Sequence, residues 1–168
     1  TLVEVGMPDG FHAPVIQALV QLVREEGHIT SVHEGRSDIV AAKQRALRAI
    51  GKLGLPEIPE LRKEAAQTIV NTLEIPALHE AAVSTLEQLE GSLELALLMA
   101  AAITLHGWTT REGIADRDRQ PAEELLRRWE HSEQESLRTA VATARALSHQ
   151  RQVGLEAYLD EVATTEDA

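Results

Sequence analysis

From Ser37 onward, aliphatic side chains recur at spacings of three and four residues, which is the period of one face of an α-helix. One such series joins Leu78, Ala82, Leu86 and Leu89. The chain of 168 residues has only two Trp, one Tyr and one Phe, whereas β-sandwiches and barrels draw heavily on aromatic and β-branched residues. The pattern therefore predicts a mainly α fold in which helices bury Ala and Leu stripes against each other.

Glycine and proline residues divide this pattern into successive helices. Gly54 and the turn over residues 55–59 end one helix, and Pro76 and Pro121 each stand at the beginning of another. We expect a bundle of five or six helices, at about residues 14–26, 37–53, 60–73, 76–106 and 121–147, with a short piece after Gly154. Residues 95–102 are apolar on nearly every side, which predicts the most buried helix.

Residues 1–35 differ from the rest and are interpreted as an appendage to a helical bundle domain over residues 36–168. Residues 2–5 and 28–33 each suit a short β-strand, with a helix between them. This strand–helix–strand order resembles the first half of an ACT-type ligand-binding domain. A complete ACT domain needs a third strand, a second helix and a fourth strand, whereas the pattern here turns helical from Ala41 onward.

The formal charge of −11 lies entirely in the later part of the chain. Residues 1–54 carry six basic and six acidic side chains, whereas residues 55–168 carry ten basic and twenty-one acidic ones. The longest basic run is the pair Arg127 and Arg128, which has glutamates on both sides. Because an acidic surface repels phosphate backbones, we expect no nucleic-acid partner.

The chain has no cysteine, which excludes disulfides, thiolate metal sites and a cysteine nucleophile. Its longest apolar run, residues 95–105, is well short of the roughly 20 residues that a bilayer requires. No basic and apolar leader opens the sequence. We therefore expect a cytoplasmic protein without membrane association.

Histidine and glutamate residues near the start of the chain are the first candidates for a metal site. His28, His33 and Glu34 lie close together in sequence, and imidazole and carboxylate groups are common metal ligands. A ferritin-like di-iron site needs Glu-x-x-His on two helices, and the chain has one copy, Glu25 to His28. The alternative is that these residues are exposed and bind nothing.

Glu133 is a further candidate, because it interrupts an apolar series. Trp129, Glu133, Leu137 and Val141 follow one another at intervals of four, which places the carboxylate on a buried stripe. A buried carboxylate must be paired, hydrogen-bonded or protonated. Glu133 is therefore predicted to form a structural ion pair or to line a subunit interface, or alternatively to be a functional acid or metal ligand.

Residues 107–120 are predicted to form a long polar connection between two helices. The segment begins with Trp108, Thr109, Thr110 and Arg111, a combination suited to binding an anion or a protein partner. Long loops are often functional, although a solvated linker with local ion pairs is the alternative.

No phosphate-binding glycine loop, nucleophile elbow or dinucleotide fingerprint is present in the sequence. We therefore expect a non-enzymatic regulatory or structural protein without a cofactor, acting through protein–protein contact. Homo-oligomerisation is predicted through an Ala and Leu stripe on the helix after Pro121. The alternative is a metal-binding or small-molecule-binding bundle, ferritin-like or a sensor, that uses His and Glu residues.

Overall fold

The computed structural model describes residues 11–25 and 33–166, with side chains for 11–25 and 38–151. These residues form seven α-helices and one short 3-10 helix, and no β-strand occurs among them. The helices are α1 (His12–Arg24), α2 (His33–Leu53), α3 (Pro59–Thr72), α4 (His79–Leu89), α5 (Leu95–Thr110), α6 (Asp116–Glu130) and α7 (Glu135–Glu166). The mainly α fold is confirmed, but the predicted number of five or six helices is wrong.

The extra helices arise because two predicted helices are each divided by a turn. The first division is the 3-10 helix Glu90–Ser92 followed by the extended residue Leu93, which separates α4 from α5. The second follows Glu130 and separates α6 from α7. Across the first turn Leu86, Leu89, Leu93 and Leu97 continue at intervals of three or four, and across the second Trp129 and Leu137 are eight residues apart. Both spacings fit an uninterrupted helix, so the pattern alone predicts one long helix in each place.

The ends of α6 and α7 also differ from the prediction. Helix α6 begins at Asp116 rather than at Pro121, which lies inside the helix. Asp116 and Asp118 occupy the first turn, where negative charge interacts favourably with the positive end of the helix dipole. Helix α7 passes through Gly154 without the predicted interruption and continues to Glu166.

The N-terminal part of the described chain contributes a helix to the core. Ile16 and Val20 of α1 are buried against α2 and α3, and His12 Nε2–H donates a hydrogen bond of 3.0 Å to the carbonyl of Leu53. The two predicted strands fall mostly on residues 1–10 and 26–32, outside the described residues. Their one described residue, His33, begins α2 and is helical.

Small residues bring α2 and α4 close together. A Cβ atom added to Gly51 would lie 2.6 Å from Oε1 of Gln88 and 3.4 Å from the Cα atom of Thr85. Ala46 and Ala82 are likewise buried in the core. Because alanine and glycine occupy little volume, the two backbones approach closely, as the Ala-rich sequence predicts.

Helix α5 is the most apolar helix, but it is not the most buried one. Leu98 and Ala101 are fully buried, whereas Leu95 is 44% exposed and Ile103 is 36% exposed. The helix contacts α3, α4, α6 and α7, and part of its surface remains exposed. The prediction that residues 95–102 form the most buried helix is therefore wrong. None of the described helices is both long enough and apolar enough to cross a membrane.

Candidate functional site

A cleft of about 440 Å³ lies where α5, α6 and α7 meet. Its floor is apolar and consists of Leu126, Val141 and Ala144, all buried in the core. Its walls carry polar and charged side chains from all three helices. The volume is within the range of roughly 300–1,000 Å³ that small-molecule sites occupy.

One wall of the cleft is fixed by an ion pair between α6 and α7. Arg145 donates from Nη1 and Nη2 to the two carboxylate oxygens of Glu130. The distance from Nη2 to Oε2 is 2.9 Å. Both side chains are at least one-third exposed, so this pair stabilises the fold by about 1 kcal/mol at most. Its effect on the cleft is to hold both side chains in place.

The other charged wall carries Arg127 and His131. Arg127 is exposed and forms no ion pair with any described residue. His131 donates from Nδ1 to the carbonyl oxygen of Arg127 at 2.8 Å, because a carbonyl can only accept. In the neutral ring Nε2 is then a free hydrogen-bond acceptor.

His106 completes the cleft from α5. Burial lowers the pKa of His106 below its usual 6.5, and the nearby Arg145 guanidinium lowers it further. His106 is therefore neutral at pH 7. Two arginines, Arg127 and Arg145, and two glutamates, Glu123 and Glu130, line the cleft, so its Arg and Glu side chains are equal in number, in contrast to the acidic chain as a whole.

Trp108, predicted to lie in a loop, is a buried residue of α5. It is 5% exposed and stacks on His79 of α4, with the ring centroids 4.1 Å apart. Its indole N–H donates to the carbonyl of Asp118 at 3.1 Å. Trp108 therefore joins α4, α5 and the start of α6, and its ring is not free to bind a ligand.

The rest of the predicted binding loop does not converge on one site. Only residues 111–115 connect α5 to α6, because α5 continues to Thr110. The hydroxyls of Thr109 and Thr110 both donate to the carbonyl of His106. Thr109 lines the cleft, whereas Thr110 and Arg111 are exposed and do not.

Glu133 is not on a buried stripe. It lies in the turn between α6 and α7 and is exposed, and its backbone carbonyl accepts a hydrogen bond of 2.8 Å from Arg138. The prediction of a buried carboxylate is wrong because α6 ends at Glu130, so the helical period does not reach Glu133.

Most of the predicted metal ligands lie outside the residues whose side chains the structure describes. Among the residues that it describes, no three His, Asp or Glu side chains are close enough to hold a metal ion. His28 lies outside the described residues. His33 and Glu34 are placed only as backbone, in the first turn of α2.

Sequence reasoning missed the cleft, because His106, Arg127 and Arg145 come from three helices and form no linear motif. Comparison with protein-family models, curated proteins and solved structures found no match for this chain.

Proposed function

We propose that this chain is a non-enzymatic regulatory or structural protein that acts through protein–protein contact and self-association. The observation that carries the proposal is the open aliphatic side of α5. Leu95, Met99 and Ile103 follow one another at intervals of four and share one side of the helix, which we call the α5 face. Two of the three are more than one-third exposed, and Met99 is half-buried.

A helix that is apolar on all sides is normally enclosed by other elements. Helix α5 contains no Asp, Glu, Lys or Arg, so its open side has no charged residue of its own. Single exposed aliphatic residues are common on protein surfaces, but an aligned series on an uncharged helix is typical of a surface that another protein covers.

The neighbouring helix α7 also leaves aliphatic residues open. Leu147 is 41% exposed, and Ala142 and Ala146 are exposed. Helices α5 and α7 pack directly on each other. A partner that covers both helices would remove apolar surface of each from water, at about 25 cal/mol for each Å².

The experiment is to measure the molar mass of the purified protein by sedimentation equilibrium over a wide concentration range. Self-association is expected at high micromolar concentration. Ile103→Glu should weaken it at least about ten-fold, since a charge at a closed interface costs about 1.4 kcal/mol or more.

Ile75→Glu is the matched control, because Ile75 is 45% exposed but lies in the turn before α4 and is not part of α5. It should leave the association constant unchanged. A wild-type protein that stays monomeric at every concentration contradicts the proposed self-association.

Small-molecule binding in the α5–α6–α7 cleft is the second candidate function. It is favoured by an apolar floor below Arg127, whose guanidinium can receive a carboxylate. Titration with benzoate should shift the NMR signals of His106 and His131 in the wild type and not in Arg127→Gln. Equal shifts in both proteins, or none in either, contradict this candidate.

A further inference from the structure

We infer that the partner is a second copy of this chain, laid with its α7 antiparallel along the first. This inference rests on the proposed self-association and adds its geometry. The observations that carry it are the length of α7, the distribution of charge along it, and its exposed residues.

Helix α7 is too long for its neighbours inside the chain. It has 32 residues, twice the 16 of α5, which correspond to about 48 Å and 24 Å at 1.5 Å per residue. His106 and Arg145 line the same cleft, so they lie at about the same level of the two helices. Helix α5 extends no more than eleven residues from His106 in either direction. It can therefore lie beside α7 no further than about residue 156, which is eleven residues beyond Arg145. The last ten or so residues of α7 pass beyond it.

Charge divides sharply along α7. Residues 135–151 contain Arg138, Arg145 and Arg151 against the single acid Glu135. Residues 152–166 contain four acidic residues and no basic one. The first half of α7 is thus positive in a chain whose net charge is −11.

Two copies of such an acidic chain repel each other overall, so a specific contact requires local charge of opposite sign. Antiparallel α7 helices place each positive half beside the acidic half of the other copy. Parallel helices would place like charges together, which is unfavourable. The charge pattern therefore selects the antiparallel arrangement, which has twofold symmetry and closes at two copies.

The positive half has side chains available for such a contact. Arg138 donates only to the carbonyls of Ser132 and Glu133, and in an antiparallel pair centred on the midpoint of α7 it lies opposite about residue 163 of the partner. Leu147 and the exposed Ala146 lie nearer the midpoint and supply apolar contact area.

The absence of cysteine makes the geometry directly testable. Gln150 is exposed and lies at the midpoint of α7, so two copies of Gln150→Cys meet near the twofold axis and should form a disulfide-linked dimer on mild oxidation. Thr139 is equally an exposed residue of α7. In the antiparallel pair the two copies of Thr139→Cys are about 35 Å apart along the helix, so no disulfide can form between them.

The outcomes separate this inference from the proposed function. A disulfide that forms at position 150 only, in a protein that sediments as a dimer, supports the antiparallel arrangement and the proposed self-association. Linkage at both positions indicates a parallel pair and overturns the inference while self-association stands. A dimer that neither cysteine links has its interface elsewhere, which also overturns the inference alone. A strict monomer overturns both.

A charge reversal tests the electrostatic part independently. Arg138→Glu should weaken dimerisation at least about five-fold, because position 138 lies opposite about residue 163 of the partner, within its acidic half. Arg117→Glu is the matched control: it changes the net charge equally, but Arg117 lies on α6 and its side chain is 87% exposed. Equal weakening by both variants indicates general repulsion and overturns the inference.

Discussion

His79 of α4 and Trp108 of α5 stack face to face, with their ring centroids 4.1 Å apart and their planes 10° apart. His79 Nδ1 carries a proton, because it donates to the carbonyl of Leu73 at 2.7 Å. Nε2 is buried and has no hydrogen-bond partner among the described residues. Only the neutral imidazole suits this position, since a second proton would place an unpaired donor and a charge in the core.

Replacement of His79 by alanine should lower the free energy of unfolding by about 3 kcal/mol, as for other large-to-small changes in a core. The imidazole is 3% exposed, and its removal opens a cavity against the indole of Trp108. Urea denaturation measures the loss. His149→Ala is the control, because His149 is exposed on α7 and should change the stability by less than about 0.5 kcal/mol. A similar loss in both variants would contradict the buried stack.

The stability should fall as the pH decreases below about 6.5. Burial lowers the pKa of His79, although the Leu73 carbonyl and the Asp118 carboxylate partly oppose this. The unfolded chain therefore takes up the proton before the folded protein does, and the unfolding free energy decreases by at most about 1.4 kcal/mol per pH unit for this histidine.

The measurement is urea denaturation at a series of pH values between 7.5 and 5. His79→Phe keeps a stacked ring but cannot be protonated, so its pH dependence should be weaker. A residual slope of the same sign is expected from His106, whose pKa is also lowered by burial. An unchanged slope in His79→Phe would exclude His79 as the source.

Gly51 should tolerate alanine but not valine. The Cβ atom of an alanine would meet the end of the flexible, exposed Gln88 side chain, which can move away. Because alanine is also the better helix former, we expect a change within about 1 kcal/mol of wild type. Valine adds two methyl groups beside the Thr85 backbone and should cost about 2 kcal/mol. Thermal unfolding distinguishes the two, and equal stability would show that α2 and α4 are not in close contact here.

Glu90 should stabilise the protein mainly through Trp129. Its Oε2 accepts hydrogen bonds from Trp129 Nε1 at 2.6 Å and from Arg128 at 3.0 Å. Glu90→Ala leaves the N–H of a fully buried indole without a partner, at a cost of about 2 kcal/mol. Glu87→Ala removes only an exposed ion pair with Arg128 and should cost less than about 1 kcal/mol. Equal losses in chemical denaturation would mean that the Trp129 hydrogen bond contributes nothing.

The parts of the fold that local chemistry specifies could be predicted from the sequence. Gly54 ends the helical segment of α2 with a φ of +79°, a conformation that glycine adopts without strain. Pro59 is the first residue of α3, close to the predicted start. In both cases a single residue type determines where a helix begins or ends.

The parts that depend on distant contacts could not be predicted. The turn after Glu130 has neither glycine nor proline, and the interval from Trp129 to Leu137 fits an uninterrupted helix, so Glu133 was assigned to the wrong environment. His79 looks in sequence like a solvated residue near a helix start, and only the packing of α5 makes it a core residue. The cleft likewise forms only when α5, α6 and α7 pack together.

The two tryptophans hold α4 from its opposite ends. Trp108 covers His79, the first residue of the helix, and Trp129 binds Glu90, the residue after its last. The chain has no other indole, so its intrinsic fluorescence reports the docking of α4 without any added label. Trp108→Phe and Trp129→Phe would each leave one emitter, which makes it possible to time the attachment of each end separately during refolding.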